Sequence, residues 1–279
     1  MKKTIGIIGH GFIGQSLIVG FKDHFAVRVY DIIPEKRDVE SIEELVKLTD
    51  IIFVAVPTPM FIEDGQCDVR ILEGILSKLN KICEKHSIII KSTIPPNVAE
   101  EFEKKFKHLN IVANPEFLTE RNAINDFLNQ DRIILGGKLL GSVVEIYKEA
   151  FPNVPIFKTN LRTAFMVKYA TNIYLAVKLS LANEFYEICE KLNISYDEMI
   201  GMTTLDKRIE KEYWKVPYNG KKFWAGHCWP KDLNSLMFLA RQLDVETNTM
   251  EGAWKTNLQQ PEEDMDWLKM DGRAISKKK

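Results

Sequence analysis

The stretch TIGIIGHGFIG, residues 4–14, decides the fold of this chain. Its first five residues are mostly apolar and β-branched, which predicts a buried strand. The glycines that follow have the spacing GxGxxG: Gly9 allows a tight turn, Gly11 lets a phosphate approach the backbone, and Gly14 lets the next helix pack on the strand. We therefore predict a strand, a turn and a helix whose N-terminus binds the pyrophosphate of a dinucleotide. The predicted contacts are Gly9, Gly11, Phe12, Ile13 and Gly14.

Asp31 ends the second predicted strand, the position at which dinucleotide-binding folds carry an acidic residue. Its carboxylate can accept hydrogen bonds from the adenosine ribose hydroxyls and would repel a 2′-phosphate, so NAD is favoured over NADP. Lys36 lies close by in the sequence and is also a predicted cofactor contact. Its positive charge would weaken the discrimination against a 2′-phosphate.

Short β-branched runs alternate with amphipathic stretches through the first part of the chain. This alternation is typical of a parallel sheet covered by helices on both faces. We therefore predict an α/β fold with an N-terminal Rossmann domain, a doubly wound parallel sheet, over residues 1–159. The predicted strands cover residues 4–8, 27–30, 51–56, 87–91, 110–113, 132–135 and 156–158. The predicted helices cover residues 13–21, 41–47, 69–83, 98–107 and 139–150.

From residue 160 onward the pattern is helical and without strands. The apolar positions over Leu161–Leu192 surround the helix, which predicts a central helix contacted on several sides. Ser195, with Glu198 three residues on, matches a capping box, and Pro230 is typical of a helix start. We predict an all-helical domain for dimerisation and substrate binding over residues 160–258, built on this central helix. Residues 259–279 are predicted to be a flexible charged tail.

The composition excludes several classes of function. Lysine and arginine total 38 against 39 acidic residues, so no global field attracts nucleic acid or an acidic membrane. No stretch is long and apolar enough to span a membrane. The four cysteines lack CxxC spacing, which argues against a structural zinc site and a disulfide framework. We therefore expect no metal, no nucleic-acid or membrane partner, and a reducing cytoplasm.

Residues 226–232, GHCWPKD, carry the best candidate for a nucleophile. Cys228 lies just before a predicted helix start with Lys231 nearby, and both surroundings favour a reactive thiolate. Asp232 follows Cys228 by four residues, about one helical turn, so its carboxylate could face the same site. The alternative is a buried cysteine without a role, which is the usual state of a cysteine on an apolar helix face.

Five segments resemble motifs of the UDP-glucose/GDP-mannose dehydrogenase family, and they occur in the family's order. Residues 226–232 resemble its active-site signature around the cysteine, and residues 114–120, NPEFLTE, resemble its substrate loop. The others are VPTP at 56–59, KSTIP at 91–95 and KYATN at 168–172. The resemblance extends from Lys3 to about Asn257. Five motifs in order are far more specific than any one of them.

The resemblance implies oxidation of a sugar C6 alcohol to a carboxylate. Two hydrides pass to two NAD molecules, and the sugar is held on Cys228 as a thiohemiacetal and then a thioester. Lys168 and Asn172, one helical turn apart, would stabilise the developing oxyanion at C6. Asp232 would orient Lys168 or a water molecule.

The resemblance also implies a general base and a set of binding residues. Glu116, alone or together with a water bound by Thr93, would act as the general base for thioester hydrolysis. The further cofactor contacts are Val56, Pro57, Thr58, Thr93, Glu120 and Lys231. The substrate contacts are Glu116, Phe117, Leu118, Lys168, Asn172, Trp224 and Gly226. The implied partners are a nucleotide-sugar substrate and a second copy of the chain, which would form a homodimer through the helical domain.

The sequence departs from the family pattern in three places. Arg121 and Asn122 stand where the family typically has glycine and a small residue. Residues 218–225 contain less glycine than the family's loop for the phosphates and the uridine. The chain also stops near the end of the second domain, where the family normally carries a further α/β domain that closes over the nucleotide end of the substrate. We therefore expect a more open substrate site, or one completed by the tail or a partner subunit.

Two other functions stay open. A β-hydroxyacid-type dehydrogenase has the same architecture but needs no cysteine nucleophile, so Cys228 weighs against it. A non-catalytic module that binds NAD or a nucleotide is the second; the retained site residues weigh against it. Taken singly, Lys168 could form a purely structural ion pair with a carboxylate. The sequence leaves open whether the sugar nucleotide is UDP-glucose, a UDP-N-acetylhexosamine or GDP-mannose.

Overall fold

The computed structural model describes residues 3–218 and 220–278, and the chain divides into two compact units. Unit 1 contains the residues up to Thr58 together with Asp68–Lys168. Unit 2 contains Pro59–Cys67 together with the residues from Tyr169 onward. The division therefore falls after Lys168, inside the long helix, whereas the sequence pattern places it at residue 159.

The regular elements follow the predicted order. The strands are β1 Thr4–Ile8, β2 Ala26–Tyr30, β3 Ile51–Val54, β4 Met60–Phe61, β5 Ser87–Ile90, β6 Asn110–Ala113, β7 Ile133–Gly136, β8 Ile156–Thr159 and β9 Ile275–Ser276. The helices are α1 Phe12–Phe21, α2 Ile42–Leu48, α3 Arg70–Ile82, α4 Pro96–Lys105, α5 Ala123–Leu128, α6 Gly141–Ala150, α7 Leu161–Leu192, α8 Tyr196–Thr203, α9 Cys228–Gln242 and α10 Asn248–Asn257. Strands β4 and β9 and helices α5 and α10 are additions to the predicted elements.

Unit 1 contains a seven-stranded sheet with the order β2-β1-β3-β5-β6-β7-β8. The predicted fold class, α/β with a Rossmann-type sheet, is confirmed. One detail differs: β7 pairs with β6 antiparallel, through Ala113 and Gly136, so the sheet is mixed. The sequence pattern missed this because a strand buried on both faces is uniformly apolar whichever way its neighbour runs.

The strands of unit 1 are buried on both faces because successive side chains point to opposite sides of the sheet. Ile52 and Val54 of β3 enter one hydrophobic cluster, with α2, α3 and α4. Ile51 and Phe53 enter the other, with α1 and α6. Strands β1, β3, β5 and β6 are parallel neighbours, so their carboxyl ends meet at one edge of the sheet. The loops that follow them are where ligands bind in such folds.

Unit 2 is mainly helical. Its core joins the part of α7 from Tyr169 onward to α9, with Trp224, Leu233 and Met237 buried between them. Ser195 caps α8 as predicted, because its hydroxyl accepts a hydrogen bond from the Glu198 N–H at 3.3 Å. Across residues 3–218 and 220–278, no helix has the length and apolar character needed to cross a membrane.

Residues 259–278 fold within unit 2, which corrects the prediction of a flexible tail over this segment. After two short 3₁₀ helices, β9 pairs in parallel with β4, with Met60 opposite Ile275. Trp267 and Ala274 are buried in a small cluster with these strands. The segment is rich in charge, and that composition conceals the few apolar residues that hold it in place.

Candidate active site

The glycine turn fits a dinucleotide phosphate. Gly9 has φ of +101°, and a Cβ added there would lie 2.4 Å from the Ala55 carbonyl oxygen. A Cβ on Gly14 would lie 2.0 Å from the Gly9 carbonyl oxygen, so α1 can pack on the turn only with glycine there. Gly11 is exposed, and apart from its chain neighbours no described residue has an atom within 4 Å of its added Cβ. The backbone is therefore open at the position where a pyrophosphate would approach.

Asp31 is fixed beside this turn. Its carboxylate accepts hydrogen bonds from the His10 N–H at 2.7 Å and the Ile33 N–H at 2.9 Å. The His10 ring in turn donates from Nδ1 to the Lys36 carbonyl oxygen at 2.7 Å. Each carboxylate oxygen of the half-buried Asp31 keeps a lone pair for a ribose hydroxyl. The Lys36 side chain is exposed, and its contact with the cofactor stays a prediction.

The loops after β3 and β5 are tied together by hydroxyl groups. The Ser92 hydroxyl accepts from the Val56 N–H at 3.0 Å and donates to the Val56 carbonyl oxygen at 2.7 Å. The Thr58 hydroxyl donates to the Thr93 carbonyl oxygen at 2.7 Å. These bonds hold the two loops rigidly at the carboxyl edge of the sheet, where Val56, Thr58 and Thr93 are predicted to contact the cofactor.

Glu116 and Lys168 form a buried ion pair in unit 1. The Lys168 Nζ lies 2.9 Å from Glu116 Oε1, and the Leu118 N–H donates to Glu116 Oε2 at 2.6 Å. Burial alone would raise the pKa of Glu116, but the Lys168 ammonium and the Leu118 N–H lower it below its usual value. Glu116 is therefore held as a carboxylate. The predicted base and the predicted oxyanion-stabilising cation are thus each other's partners.

Phe117 completes this part of unit 1. Its ring lies under the Lys168 ammonium at 5.7 Å from the centroid and under the Arg132 guanidinium at 4.4 Å. Phe117 and Leu118 are both half-buried, next to Glu116. Their predicted substrate contacts stay predictions.

Lys91 is a third buried charge in this region, and the sequence argument assigned it no role. It is 3% exposed, and its Nζ donates to the Asn114 Oδ1 at 3.1 Å. Burial lowers the pKa of Lys91 to about 7, although the Glu116 carboxylate opposes this shift. The signal that could have found it is a lysine placed directly after the fully buried strand β5.

A surface cavity of about 460 Å³ lies beside the phosphate turn in unit 1. It brings together Phe12, at the start of α1, and Glu120, two residues predicted to contact the cofactor. Arg121 also lines it, at the position where the sequence departs from the family pattern. The cavity joins the glycine turn to the end of the loop that begins with Asn114.

Asp232 is the centre of a buried polar group in unit 2. Its carboxylate accepts from the Asn172 amide at 2.6 Å and from the Lys231 ammonium at 2.6 Å. Burial would lower the pKa of Lys231, but the Asp232 carboxylate and the thiols of Cys228 and Cys67 raise it. Lys231 is therefore a permanent cation engaged by Asp232. Its predicted contact with the cofactor stays a prediction.

Cys228 is the first residue of α9, which begins two residues before Pro230, the helix start that the sequence predicts. It is partly exposed, in contrast to Cys67, Cys83 and Cys189, which are buried. The first turn of α9 has no acidic residue, and no side chain caps it. The thiol therefore lies at a positive helix end next to the cation of Lys231, the surroundings in which nucleophilic cysteines are found.

Trp224 and Gly226, two predicted substrate contacts, lie in the loop before α9. Trp224 is only 1% exposed, and its indole N–H donates to Ser180 Oγ at 2.8 Å. Its side chain belongs to the core of unit 2, and its predicted contact with the substrate stays a prediction. Gly226 has φ of +81°, and its N–H donates to Asp266 at 2.8 Å. The sequence argument missed Asp266 because it treated the segment as a tail.

Comparison with known proteins gives a family. The sequence models of the UDP-glucose/GDP-mannose dehydrogenase family match in two parts: the NAD binding domain over residues 36–152 and the central domain over residues 162–259. The prediction of NAD as cofactor is confirmed by the first match. The residues in the described parts of the chain also include no group of three or more His, Cys, Asp or Glu side chains that could hold a metal ion.

Individual relatives agree with this match. The chain is 29% identical over 324 residues to UDP-glucose 6-dehydrogenase AglM of Haloferax volcanii, covering 98% of this chain and 74% of AglM. It is 29% identical over 251 residues to UDP-glucose 6-dehydrogenase TuaD of Bacillus subtilis, covering 85% of this chain and 53% of TuaD. The chain spans about half the length of the other curated relatives of this group.

A solved structure supports the fold. The UDP-glucose dehydrogenase of the hyperthermophilic archaeon Pyrobaculum islandicum superposes with a TM-score of 0.84 and 26% sequence identity. The superposition covers 93% of this chain and 68% of that one.

Proposed function

Because this chain belongs to the UDP-glucose/GDP-mannose dehydrogenase family, we propose that it oxidises the C6 alcohol of a nucleotide sugar to the carboxylate with NAD. The observation that carries the proposal is Cys228, a partly exposed cysteine at the start of a helix beside the buried group of Lys231, Asp232 and Asn172. The oxidation of a β-hydroxyacid needs no cysteine nucleophile, so it would not explain Cys228 at this position.

The proposed reaction balances as two oxidations and one hydrolysis. NAD, when bound, accepts a hydride in each oxidation. After the first, the Cys228 thiolate adds to the C6 aldehyde to give a thiohemiacetal; after the second, the same carbon is a thioester. Water then cleaves the C–S bond, which yields the carboxylate and returns the thiol. Each sugar therefore consumes one water and reduces two NAD molecules.

The buried ion pair of unit 1 supports roles for Glu116 and Lys168. Lys168 is a cation held without access to bulk water, so it can stabilise negative charge on the C6 oxygen more strongly than a solvated lysine could. Glu116 is ionised, so it can accept a proton from the hydrolytic water. Because its pKa is lowered, it becomes a stronger base only when Lys168 turns from it to the oxyanion.

The buried group of unit 2 supports roles for Asn172 and Asp232. The Asn172 amide donates one N–H to Asp232 and keeps a second for a substrate oxygen. Asp232 acts as a positioning residue, because it accepts from Asn172 and Lys231 at once and fixes both side chains. This differs from the prediction that Asp232 orients Lys168 or a water molecule.

The test is the number of NADH molecules formed per sugar. Purified protein is incubated with NAD and, separately, with UDP-glucose, a UDP-N-acetylhexosamine and GDP-mannose, with limiting sugar nucleotide. We expect two NADH per molecule of the correct sugar, and we expect Cys228→Ser to lose at least 10²-fold in the rate of carboxylate formation, as roughly expected for a nucleophile. The productive sugar nucleotide identifies the substrate.

Cys83→Ser is the matched control for this variant. Cys83 is buried, and burial raises the pKa of its thiol to about 11, so it has no nucleophilic character at neutral pH. We expect it to keep the wild-type stoichiometry. Two NADH per sugar from Cys228→Ser at the wild-type rate would contradict the covalent mechanism. No NADH from any sugar nucleotide, with NAD binding intact, would contradict the proposed activity itself.

A further inference from the structure

Arg121 is a cation without an ion-pair partner among residues 3–218 and 220–278. It lies in a 3₁₀ turn, Glu120–Asn122, which enters the short helix α5. Its side chain is exposed, and it forms no hydrogen bond or ion pair with any residue in 3–218 or 220–278. Other arginines of unit 1, such as Arg132 and Arg162, do have carboxylate partners. An unpaired guanidinium beside a cavity is available for an anionic ligand.

The cavity that Arg121 lines is next to the phosphate-binding turn. Its wall includes Phe12 and Gln15 from the first turn of α1, Asn122 from the 3₁₀ turn and Asn125 from α5. Helix α1 has ten residues, no acidic residue in its first turn and no side-chain cap. Its N-terminus therefore contributes positive partial charge to this region.

Two acidic residues, Glu120 and Asp126, lie near Arg121 in the sequence, and neither forms an ion pair with it. Glu120 is the carboxylate among the described lining residues, and it is predicted to contact the cofactor itself. The nearby Asp126 is already engaged, because its carboxylate accepts from the Thr119 N–H, the Thr119 hydroxyl and the Asn122 amide. An anion at the turn would thus meet one side-chain cation and one helix N-terminus.

We propose that Arg121, which stands where the family typically has glycine, binds the pyrophosphate of the dinucleotide. It would do so in addition to the N-terminus of α1. The inference rests on the proposed use of NAD. Arginine suits this task because its planar guanidinium can donate two parallel N–H bonds to phosphate oxygens. With Arg121, the affinity for the pyrophosphate should be higher, and should depend more strongly on salt concentration, than with the glycine turn alone.

The experiment measures ligand binding by calorimetry, without any sugar substrate. The probes are NAD, ADP-ribose, which keeps the pyrophosphate, and adenosine, which lacks it. We expect Arg121→Gln to bind NAD and ADP-ribose about five- to tenfold more weakly and adenosine equally well. Arg121→Lys keeps the positive charge but loses the two parallel N–H donors of the guanidinium. Its affinity for NAD and ADP-ribose should therefore lie between those of the wild type and Arg121→Gln. The salt dependence of NAD affinity should be flatter in Arg121→Gln.

Arg162→Gln is the matched control, because Arg162 is an exposed arginine of unit 1 that pairs with Glu100, outside the cavity. It should bind NAD as the wild type does. UDP is a further probe, since the diphosphate of a sugar nucleotide has the same chemistry as the pyrophosphate. If Arg121→Gln weakens UDP and leaves NAD unchanged, the proposal is overturned in favour of a substrate contact.

Three other outcomes are decisive. Unchanged NAD affinity at every salt concentration would overturn the role of Arg121. An equal loss for adenosine would also overturn it, because the effect would not depend on phosphate; circular dichroism of each variant checks that the fold is intact. Failure of the wild type to bind NAD at all would instead refute the proposed function, so the two failures are distinguishable.

Discussion

Lys91, Glu116 and Lys168 form a group of buried charged side chains in unit 1 with an excess of one positive charge. The buried Asp68 is separate from this group, because it pairs with Arg70. Glu116 pairs directly with Lys168, so Lys91 is the cation left to the Asn114 amide. Asn114 is itself fixed, because its Oδ1 also accepts from the Tyr147 hydroxyl and its Nδ2 donates to the Ile134 carbonyl oxygen. The cost of burying Lys91 as a cation explains why its pKa falls to about 7.

Lys91→Met should change how stability depends on pH. In the unfolded wild-type chain Lys91 keeps its proton up to about pH 10.5, whereas the folded protein releases it near pH 7. Between these values the unfolded state binds more protons, so this group makes the free energy of unfolding rise with pH. We expect the wild type to gain up to roughly 1 kcal/mol per pH unit relative to Lys91→Met between pH 7 and 9.

Urea unfolding at pH 7, 8 and 9 measures this difference. Lys78→Met is the control, because Lys78 is a partly exposed lysine of unit 1 paired with Glu43. Its stability should run parallel to the wild type over this range. Parallel curves for Lys91→Met as well would mean that Lys91 carries the same charge in both states.

Among the individual elements, helix α7 is notable for apolar residues on several of its faces. The prediction of contacts on several sides rests on apolar residues that surround the helix, and many of them, such as Tyr169, Ala176 and Leu179, are fully buried. Others face outward within unit 2, and their spacing of three, four or seven residues places them on one stripe. The exposed apolar stripe consists of Tyr174, Leu181, Phe185, Ile188 and Leu192.

This stripe supports the proposed homodimer, because apolar helix faces of this size are usually covered by a partner. Ile188 is 53% exposed and central in the stripe. We expect Ile188→Glu to convert a dimer to monomers, since a carboxylate at an apolar interface would be buried without a partner. Molar mass from light scattering, measured over a range of concentrations, gives the result.

Leu205→Glu is the control for the stripe, because Leu205 is 73% exposed in unit 2 but follows α8. It should leave the molar mass unchanged. A monomeric wild type, or a dimer that survives Ile188→Glu, would rule out α7 as the contact surface.

At the scale of the whole molecule, unit 2 combines a segment from the first half of the sequence with the C-terminal half. Residues 59–67 leave the first half of the sequence to join unit 2, where β4 pairs with β9 near the C-terminus. Gly65 in this segment has φ of +81°, and a Cβ there would lie 2.9 Å from the Cβ of Asn234 on α9. The ordered C-terminal segment also supplies Asp266, which accepts from the Gly226 N–H two residues before Cys228. The segment is therefore part of the framework that positions the cysteine.

Trp267→Ala tests this framework. Trp267 is 4% exposed, and its ring centroid lies 5.3 Å from that of Trp254. Removing a buried tryptophan costs about 3–5 kcal/mol, so we expect a loss of this size in the free energy of unfolding of unit 2. All five tryptophans lie in unit 2, so their fluorescence during denaturant unfolding reports on this unit alone.

Trp214→Ala is the control, because Trp214 is only half-buried and stacks on Phe185 at the surface. Trp214→Ala should lower the free energy of unfolding of unit 2 much less than Trp267→Ala does. If Trp267→Ala were no more destabilising than Trp214→Ala, the C-terminal segment would not contribute to the stability of unit 2.

The sequence by itself determined the features that depend on local pattern. The glycine turn follows from dihedral and steric demands at Gly9 and Gly14, and the alternating elements follow from hydrophobic periodicity. The candidate nucleophile was also evident, because a helix start and a lysine lie within four residues of Cys228.

Only the tertiary structure decided the pairings between distant residues. The partner of Glu116 is Lys168, that of Met60 is Ile275, and Trp224 lies in the core although its loop is polar. No local pattern carries this information, because periodicity and propensity describe which face of an element is apolar and not which distant side chain meets it. The burial of Lys91 could not be predicted for the same reason. Lysines are usually exposed, and only the packing of the surrounding strands shows that this one is buried.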